Sequence, residues 1–253
     1  MADSRRMINS RGTDTLLQLE DVYTDIGRYQ ILHGIDLKVG RGRVTMLLGR
    51  NGAGKTTTLR TVMGLWKARK GRIEFEGRSL LDMATPDIAR LGIAYVPEGM
   101  GIFGQLTVRE NLLLATGPEG FEQERLDRVL QRFPALKLKW DSPAGLLSGG
   151  QKQMLAIGRG IIEKRRLLIV DEPTKGMSPA MVDQFIEALL ALKADQTTLL
   201  LVEQNFRVAR AMGDDVAVID QGRIVHSGSM ADLNADEALQ QRLLGLSLGA
   251  TDR

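Results

Sequence analysis

The segment GRNGAGKT, residues 49–56, decides the fold of this 253-residue chain. It follows residues 44–48, a short apolar run typical of a buried strand, and precedes residues 57–63, whose apolar positions have helical spacing. The pattern Gly, four residues, Gly-Lys-Thr between a strand and a helix is that of a phosphate-binding loop. Its glycines let successive backbone N–H groups face one concavity, and the N-terminus of the following helix adds positive potential there. The sequence therefore predicts an α/β fold built around a nucleotide-binding loop.

Two side chains of this segment have specific predicted roles toward a nucleoside triphosphate. Lys55 would reach the β- and γ-phosphates, and the hydroxyl of Thr56 would ligate Mg²⁺. The alternative is a glycine-rich turn that binds no ligand, which the flanking strand and helix make much less favourable. The predicted nucleotide-binding residues of the segment are Gly49, Arg50, Asn51, Gly52, Ala53, Gly54, Lys55, Thr56 and Thr57.

A pair of carboxylates closes a second apolar run further along the chain. Asp171 and Glu172 follow residues 167–170, which read Leu-Leu-Ile-Val. At the carboxyl edge of a parallel sheet, both side chains can address the crevice where ligands bind. We expect Asp171 to hold Mg²⁺ and Glu172 to polarise the attacking water; the alternative is a solvated strand end. Together with the phosphate loop, the pair predicts a site for hydrolysis of a nucleoside triphosphate.

The composition bounds the class of protein. Hydrophobic residues make up 43% of the chain, which is enough for a core, and the absence of cysteine excludes disulfides and thiolate metal sites. The net charge of +3 is spread along the sequence and aromatic residues are only 4%, so we expect no nucleic-acid partner. No run of residues is long and apolar enough for a membrane-spanning helix, so any membrane role is expected to come through partners.

The hydrophobic pattern divides the chain into regions. Alternating residues at 17–22, 35–39 and 71–77 predict an antiparallel layer, and the strand, helix and strand between 167 and 202 predict a right-handed crossover in a parallel sheet. Residues 107–148 read as an inserted helical subdomain with proline breaks. The predicted domains are a flexible extension at 1–15, a nucleotide-hydrolysing domain at 16–240 and a tail at 241–253.

A third motif, Leu-Ser-Gly-Gly-Gln at residues 147–151, stands immediately before a predicted amphipathic helix. Taken alone, it is a helix cap, because serine is a favoured N-cap residue. The order of phosphate loop, Ser-Gly-Gly-Gln and strand-terminal Asp-Glu-Pro-Thr resembles the ATP-binding-cassette (ABC) family from about residue 17 to residue 233.

The resemblance implies an ABC cassette, with a mixed sheet core, an antiparallel β-subdomain and an inserted helical subdomain. It also implies that the protein is an ATPase with ATP and Mg²⁺ as cofactors. In this family, the signature of one subunit caps the ATP held by the phosphate loop of a second subunit. The residues with that role in trans would be Ser148, Gly149, Gly150 and Gln151.

Two positions depart from the usual cassette around the γ-phosphate. Gln204 stands where the family usually has histidine, and its amide would sense phosphate without carrying charge. Glu98 stands where glutamine usually follows Val-Pro; a carboxylate there can meet Mg²⁺ but is repelled by the γ-phosphate. We therefore assign Gln204 a catalytic role beside Lys55 and Glu172, and Glu98 a metal-binding role beside Thr56 and Asp171.

Two further departures concern the adenine and a loop. The aromatic residue that usually stacks on adenine would align with Ile26, so Tyr29 or Tyr23 would replace it, and Tyr29 is the predicted nucleotide contact. Residues 175–179 lack the aspartate that usually follows Asp-Glu-Pro-Thr. The apolar residues Met100, Ile102, Phe103 and Leu106 either line a groove for a membrane helix or pack internally.

The stretches Val-Pro-Glu-Gly, Leu-Val-Glu-Gln-Asn and Gln-Met-Leu-Ala-Ile-Gly-Arg resemble the shorter ATPase subunit of bacterial importers for branched-chain amino acids, or for urea and short amides. This implies a heterodimer with a second ABC ATPase subunit, two transmembrane permease subunits and an extracytoplasmic solute-binding protein, at the cytoplasmic face of the inner membrane. The altered Gln204 and Glu98 predict that this chain's own site is the slower one. The alternative, a soluble non-transport ABC ATPase, would favour tandem cassettes or a long coiled-coil insertion, which this sequence lacks.

Overall fold

The computed structural model describes residues 15–245, which form two sheets with helices packed around them. The strands are β1 (Thr15–Ile26), β2 (Tyr29–Gly40), β3 (Val44–Leu48), β4 (Ala68–Phe75), β5 (Arg78–Ser79), β6 (Ile93–Val96), β7 (Leu167–Asp171), β8 (Thr198–Glu203), β9 (Asp215–Asp220) and β10 (Arg223–Ser229). The α-helices are α1 (Lys55–Val62), α2 (Thr85–Arg90), α3 (Val108–Leu113), α4 (Gln123–Arg132), α5 (Pro134–Leu138), α6 (Gly149–Ile161), α7 (Pro179–Ala194), α8 (Phe206–Met212), α9 (Met230–Ala235) and α10 (Glu237–Leu244).

The larger sheet has the order β10-β9-β3-β8-β7-β6, and every neighbouring pair except β10-β9 is parallel. Strands β3, β7 and β8 are buried at every position, which explains why they read as continuous apolar runs rather than alternating ones. The predicted parallel arrangement of the two strands between residues 167 and 202 is confirmed, and β7 pairs with β8 from Leu167 opposite Thr198 to Asp171 opposite Val202. Leu48 lies opposite Glu203 and Asp171 opposite Val202, so the carboxyl ends of β3, β7 and β8 meet at one edge.

The smaller sheet is antiparallel, with the order β2-β1-β4-β5. Its strands alternate between buried and exposed residues, as the sequence pattern predicts for a sheet with one wet face. Buried residues such as Leu17, Ile35 and Ile73 share a core with Leu47 and Leu200 of the larger sheet. This contact holds the antiparallel layer over the strand that leads into the phosphate loop.

Between β6 and α6, the chain forms the predicted helical subdomain, which contains α3, α4, α5 and a short 3-10 helix, Ala144–Leu146. Helix α3 begins at a capping box, because Thr107 accepts from the N–H of Glu110 and the Glu110 carboxylate accepts from the N–H of Thr107. The buried side chains of Val129, Phe133 and Leu136 belong to the same core as α6. The subdomain therefore packs directly on the helix that follows the Ser-Gly-Gly-Gln motif.

The observed elements differ from the predicted domain boundaries at both ends. Strand β1 already begins at Thr15, and α10 crosses the boundary predicted after residue 240. Leu243 and Leu244 pack against the larger core, so the packed part of the chain extends past that boundary. The remainder of the predicted extension, residues 1–14, and residues 246–253 of the predicted tail lie outside the described residues.

A buried asparagine fixes the loop that joins β6 to the helical subdomain. The Asn111 side chain is fully buried; its Oδ1 accepts from the N–H of Phe103 at 2.9 Å, and its Nδ2 donates to the carbonyls of Phe103 and Thr107, both at 2.9 Å, and of Leu106 at 3.3 Å. A loop lacks the regular backbone hydrogen bonds of helices and sheets, so the bonds from Asn111 satisfy backbone groups that would otherwise have no partner.

We expect Asn111→Ala to lower the free energy of unfolding by about 2 kcal/mol, because it leaves buried backbone groups of this loop unsatisfied. Urea unfolding followed by circular dichroism measures the change. Gln131→Ala, at an exposed position of α4, is the matched amide-to-alanine control. If Asn111→Ala lowers the free energy of unfolding no more than Gln131→Ala does, water replaces the hydrogen bonds of the Asn111 side chain.

Candidate nucleotide site

The phosphate loop adopts a backbone that favours glycine at several positions. Gly52 and Gly54 have φ values of +78° and +110°, in the left-handed region that favours glycine. At Gly49, a Cβ would lie 2.3 Å from the carbonyl oxygen of Ile219 at the end of β9. The N–H of Gly222 donates to the carbonyl of Ala53 at 2.8 Å, so the turn after β9 also supports the loop. The end of β9 and the turn after it therefore hold the phosphate loop in place directly before α1 begins.

Lys55, the first residue of α1, is buried and faces the loop. Its Nζ donates to the carbonyls of Gly49 at 2.7 Å and Arg50 at 3.0 Å, and it lies 3.1 Å from Oε1 of Glu172. The predicted phosphate-binding lysine and the predicted catalytic carboxylate are thus in contact. Because both side chains are less than a tenth exposed, each supplies the counter-charge that the other needs when buried.

The predicted metal-binding pair, Thr56 and Asp171, also meets at this edge. The Thr56 hydroxyl donates to Oδ1 of Asp171 at 3.2 Å, and the Tyr95 hydroxyl donates to Oδ2 at 3.2 Å. Burial raises the pKa of the Asp171 carboxyl, partly offset by these two hydrogen bonds. A hydroxyl and one carboxylate suit Mg²⁺, which keeps several waters and takes further oxygens from phosphate. Within residues 15–245, no three His, Cys, Asp or Glu side chains form a metal-binding group.

Glu172 has an unusual backbone conformation for a residue with a side chain. Its φ is +46°, and its N–H donates to the carbonyl of Val202 at 2.9 Å. Such conformations cost energy and are found preferentially at functional sites. Burial opposes ionisation of the carboxyl, but hydrogen bonds from Gln204 and Lys55 outweigh it and hold the pKa of Glu172 below its usual value. Glu172 is therefore a carboxylate at neutral pH.

The structure places Gln204 beside both earlier motifs. Its Nε2 donates to Oε1 of Glu172 at 2.8 Å and to Oδ1 of Asn51 at 2.6 Å. Gln204 lies directly after β8, and β8 lies between β3 and β7, so its position follows from the strand order. One amide thus joins the phosphate loop to the predicted catalytic carboxylate.

Sequence reasoning missed Glu203, the residue before Gln204. Its carboxylate is buried and accepts from the N–H and hydroxyl of Thr174 at 3.1 and 2.7 Å, and from the N–H groups of Gln204 and Asn205 at 3.2 and 3.3 Å. Burial raises the pKa of Glu203, and these four hydrogen bonds partly offset that effect. Glu203 connects the loop after Glu172 to Gln204. A charged residue at the end of an otherwise apolar strand was the available signal.

Glu98 lines a cavity of about 350 Å³ next to the phosphate loop, together with Lys55, Thr56 and Glu172. Its Oε1 lies 2.6 Å from Nζ of Lys175, which also lines the cavity. In this arrangement the carboxylate is paired with a lysine rather than with Thr56 and Asp171. The metal-binding role of Glu98 therefore stays a prediction, and its lysine partner is a finding that the sequence did not suggest.

The predicted adenine contact is not part of the cavity wall. Tyr29 is exposed at the start of β2, with the Arg28 guanidinium 5.9 Å from its ring centroid, and Ile31 is the residue of this strand that lines the cavity. The alternative, Tyr23, has Lys70 Nζ 5.0 Å from its ring centroid. Stacking of Tyr29 on adenine remains a prediction.

The Ser-Gly-Gly-Gln motif begins α6 and forms a capping box. The Ser148 hydroxyl accepts from the N–H of Gln151 at 3.3 Å, and the Gln151 side chain accepts from the N–H of Ser148 at 3.0 Å. The helix-cap interpretation is confirmed. Ser148 and Gly149 are exposed, whereas Gly150 is buried beside Met181. The role of the motif toward a second subunit remains a prediction.

Two of the four apolar residues considered after Glu98 pack internally and one is exposed; the groove for a membrane helix stays a prediction. Met100 and Ile102 pack against the larger core. Phe103 is 51% exposed, and the Arg159 guanidinium lies 5.4 Å from its ring centroid. This loop therefore presents one large aromatic side chain to the outside while its neighbours point inward.

The chain is also similar in sequence to known proteins. The family model described as ABC transporter matches residues 32–175. The high-affinity branched-chain amino acid transport ATP-binding protein BraG of Pseudomonas aeruginosa is 39% identical over 91% of this chain and 100% of its own length. The probable branched-chain amino acid transport ATP-binding protein LivF of Archaeoglobus fulgidus is 33% identical over 85% of this chain and 93% of its own.

A solved structure extends the comparison to the fold. The ADP conformation of MJ1267, an ATP-binding cassette of an ABC transporter, superposes with a TM-score of 0.78 at 25% identity, over 92% of this chain and 100% of that one. Across residues 15–245, no helix has both the length and the apolar character needed to span a bilayer. With its phosphate loop, its Asp-Glu pair and its fold, this chain belongs to the ABC transporter family and is an ATP-hydrolysing cassette of membrane-associated transporters.

Proposed function

We propose that this chain energises a bacterial importer for branched-chain amino acids. The observation that carries the ATP-dependent part is the meeting of Lys55, Glu172 and Gln204 beside the Thr56–Asp171 pair, all at the carboxyl edge of one parallel sheet. The named substrate class of the two similar transport proteins supports the solute. Importers for urea or short amides are the alternative that the transport test below distinguishes.

In the proposed reaction, the β- and γ-phosphates of ATP lie over the N-terminus of α1, where backbone N–H groups and Lys55 bind them. Thr56 and Asp171 would hold Mg²⁺, which neutralises phosphate charge when bound. Glu172 orients a water molecule toward the γ-phosphate, and Gln204 fixes the direction of the Glu172 carboxylate. Tyr95 keeps the second Asp171 oxygen in place.

The proposed assembly is a heterodimer of this chain with a second ABC ATPase subunit. Two transmembrane permease subunits and an extracytoplasmic solute-binding protein complete the importer, and this chain lies peripherally on the cytoplasmic face of the inner membrane. Exposure of Ser148 and Gly149 at the start of α6 supports a role in capping the partner's ATP. The exposed side chains of Phe103, Leu114 and Leu138 on and beside the helical subdomain support docking of a permease helix.

The transport proposal is tested by deleting the gene and measuring uptake of radiolabelled leucine, urea and acetamide. Loss of leucine uptake, restored by the wild-type gene and not by the Glu172→Gln variant, is the expected result. Loss of urea or acetamide uptake with normal leucine uptake would instead assign the protein to an importer for urea or short amides. Unchanged uptake of all three would contradict the transport proposal.

Restoring histidine tests whether this chain's own site is the slower one. We expect Gln204→His to raise ATP turnover by up to about tenfold, because an imidazole can give the γ-phosphate a charge-assisted hydrogen bond that an amide cannot. Steady-state hydrolysis by the reconstituted heterodimer measures the change. Gln131→His, on the exposed surface of α4, is the matched control; equal rates for both variants would argue against the hypothesis.

A further inference from the structure

We propose that Lys175 is a positioning residue that neutralises Glu98 at the nucleotide cavity, and that this pair allows the chain to carry a carboxylate where a polyphosphate binds. The proposal rests on the ATP site described above and adds a residue to it. Its two members are 77 positions apart in the sequence and meet only in the folded protein.

The contact between the two side chains is specific. Lys175 Nζ lies 2.6 Å from Oε1 of Glu98 and 3.6 Å from Oε2 of Glu172, so one ammonium group serves two carboxylates. Both Lys175 and Glu98 are about half exposed, within reach of a ligand that enters the cavity.

The charges that line this cavity balance in pairs. Its ionisable side chains are two lysines, Lys55 and Lys175, and two glutamates, Glu98 and Glu172. Lys55 neutralises Glu172, and Lys175 neutralises Glu98. Removing the charge of Lys175 would leave the cavity with a net negative charge that repels the phosphates of ATP.

The pair also joins two loops with different tasks. Glu98 follows β6 on the loop that Asn111 anchors to the helical subdomain, whereas Lys175 lies on the loop after Glu172. The Lys175–Glu98 contact therefore joins the loop after Glu172 to the loop that leads to the helical subdomain.

A double-mutant cycle on ATP binding tests the proposal. Lys175→Met, Glu98→Gln and the double variant are titrated with a fluorescent ATP analogue and Mg²⁺ at low and high ionic strength. We expect Lys175→Met to weaken binding by about tenfold at low salt, since the pair is partly exposed and therefore partly screened, and by less at high salt. Adding Glu98→Gln should restore the affinity to within about twofold of the wild type, because a neutral amide needs no counter-charge.

The outcomes separate the alternatives. Equal weakening by Lys175→Met with and without Glu98→Gln would show that Lys175 acts on phosphate independently of Glu98, and unchanged binding in Lys175→Met would show that the pair has no role; either overturns the proposal. Lys139→Met, an exposed lysine outside the cavity, is the matched control. If the wild-type protein itself fails to bind ATP, the proposed ATP site fails, whereas normal wild-type binding without coupling sinks only the role of the pair.

Turnover gives a second readout that general loss of structure would not reproduce. The Lys175→Met variant should show a raised KM for ATP, and any fall in kcat that comes from its lost contact with Glu172 should persist when Glu98→Gln is added. Rescue of KM by Glu98→Gln is expected in the same assay. A fall in kcat at unchanged KM would place Lys175 in the chemical step and contradict the proposal.

Discussion

Replacing Glu172 with glutamine is expected to lower ATP turnover by at least about a hundredfold while ATP binding is retained. Glutamine has nearly the same size and can still accept hydrogen bonds from Lys55 and Gln204 through its carbonyl oxygen. It carries no charge, so it cannot polarise a water molecule as the ionised carboxylate does. The loss of turnover therefore falls on the chemical step; the nucleotide-free fold is also destabilised, because buried Lys55 loses the counter-charge of Glu172.

The change is measured by phosphate release from the reconstituted transporter and by titration of the purified chain with an ATP analogue. Glu187→Gln, at an exposed position of α7, is the matched control and should retain wild-type turnover. Hydrolysis at the wild-type rate in Glu172→Gln would mean that another group activates the water. Loss of binding together with turnover would mean that Glu172 is needed to shape the loop.

The second large effect is expected from Gly49→Ala at the start of the phosphate loop. The new Cβ would lie 2.3 Å from the carbonyl oxygen of Ile219 and 2.9 Å from its Cγ2, so a backbone segment must move. Strain of this kind costs about 1–3 kcal/mol of unfolding free energy. Because the Gly49 carbonyl also accepts from Lys55, the displacement should weaken ATP binding by more than about tenfold, the equivalent of 1.4 kcal/mol.

Urea unfolding and ATP titration measure the two parts of this prediction separately. Gly117→Ala is the control, since a Cβ at Gly117 would have no atom within 4 Å. We expect that variant to behave as the wild type in both assays. Normal stability and normal ATP affinity in Gly49→Ala would show that the end of β9 yields to the methyl group without cost.

The sequence predicts those parts of the fold and site that depend on neighbouring residues. The phosphate loop between β3 and α1 is one continuous segment, so its letters and its flanking periodicity suffice. Each of the three fully buried strands of the larger sheet is also one short apolar segment, so it can be recognised from neighbouring residues alone. The meeting of Thr56 with Asp171 follows once both segments are placed at one sheet edge.

Side-chain contacts between segments that carry no recognisable motif could not be predicted from the sequence in this way. Tyr95 and Lys175 have no local pattern that marks them, and they reach Asp171 and Glu98 only because β6 lies beside β7 and the loop after β7 turns back toward it. The role of Glu203 was missed for a related reason, because two of its four hydrogen-bond donors belong to Thr174, which is distant in sequence. Side-chain pairing between distant segments that no motif marks is seen only in the folded structure.

The ion pair between Lys55 and Glu172 makes nucleotide binding an exchange reaction. In the arrangement described above, Lys55 already bonds two main-chain carbonyls and a carboxylate, so an arriving phosphate has to compete with these acceptors for its protons. The affinity for ATP consequently reflects a difference between two sets of bonds and not the sum of the new ones. The same exchange releases the Glu172 carboxylate from Lys55 when phosphate binds. Glu172 therefore becomes free to act on water only when the substrate is present.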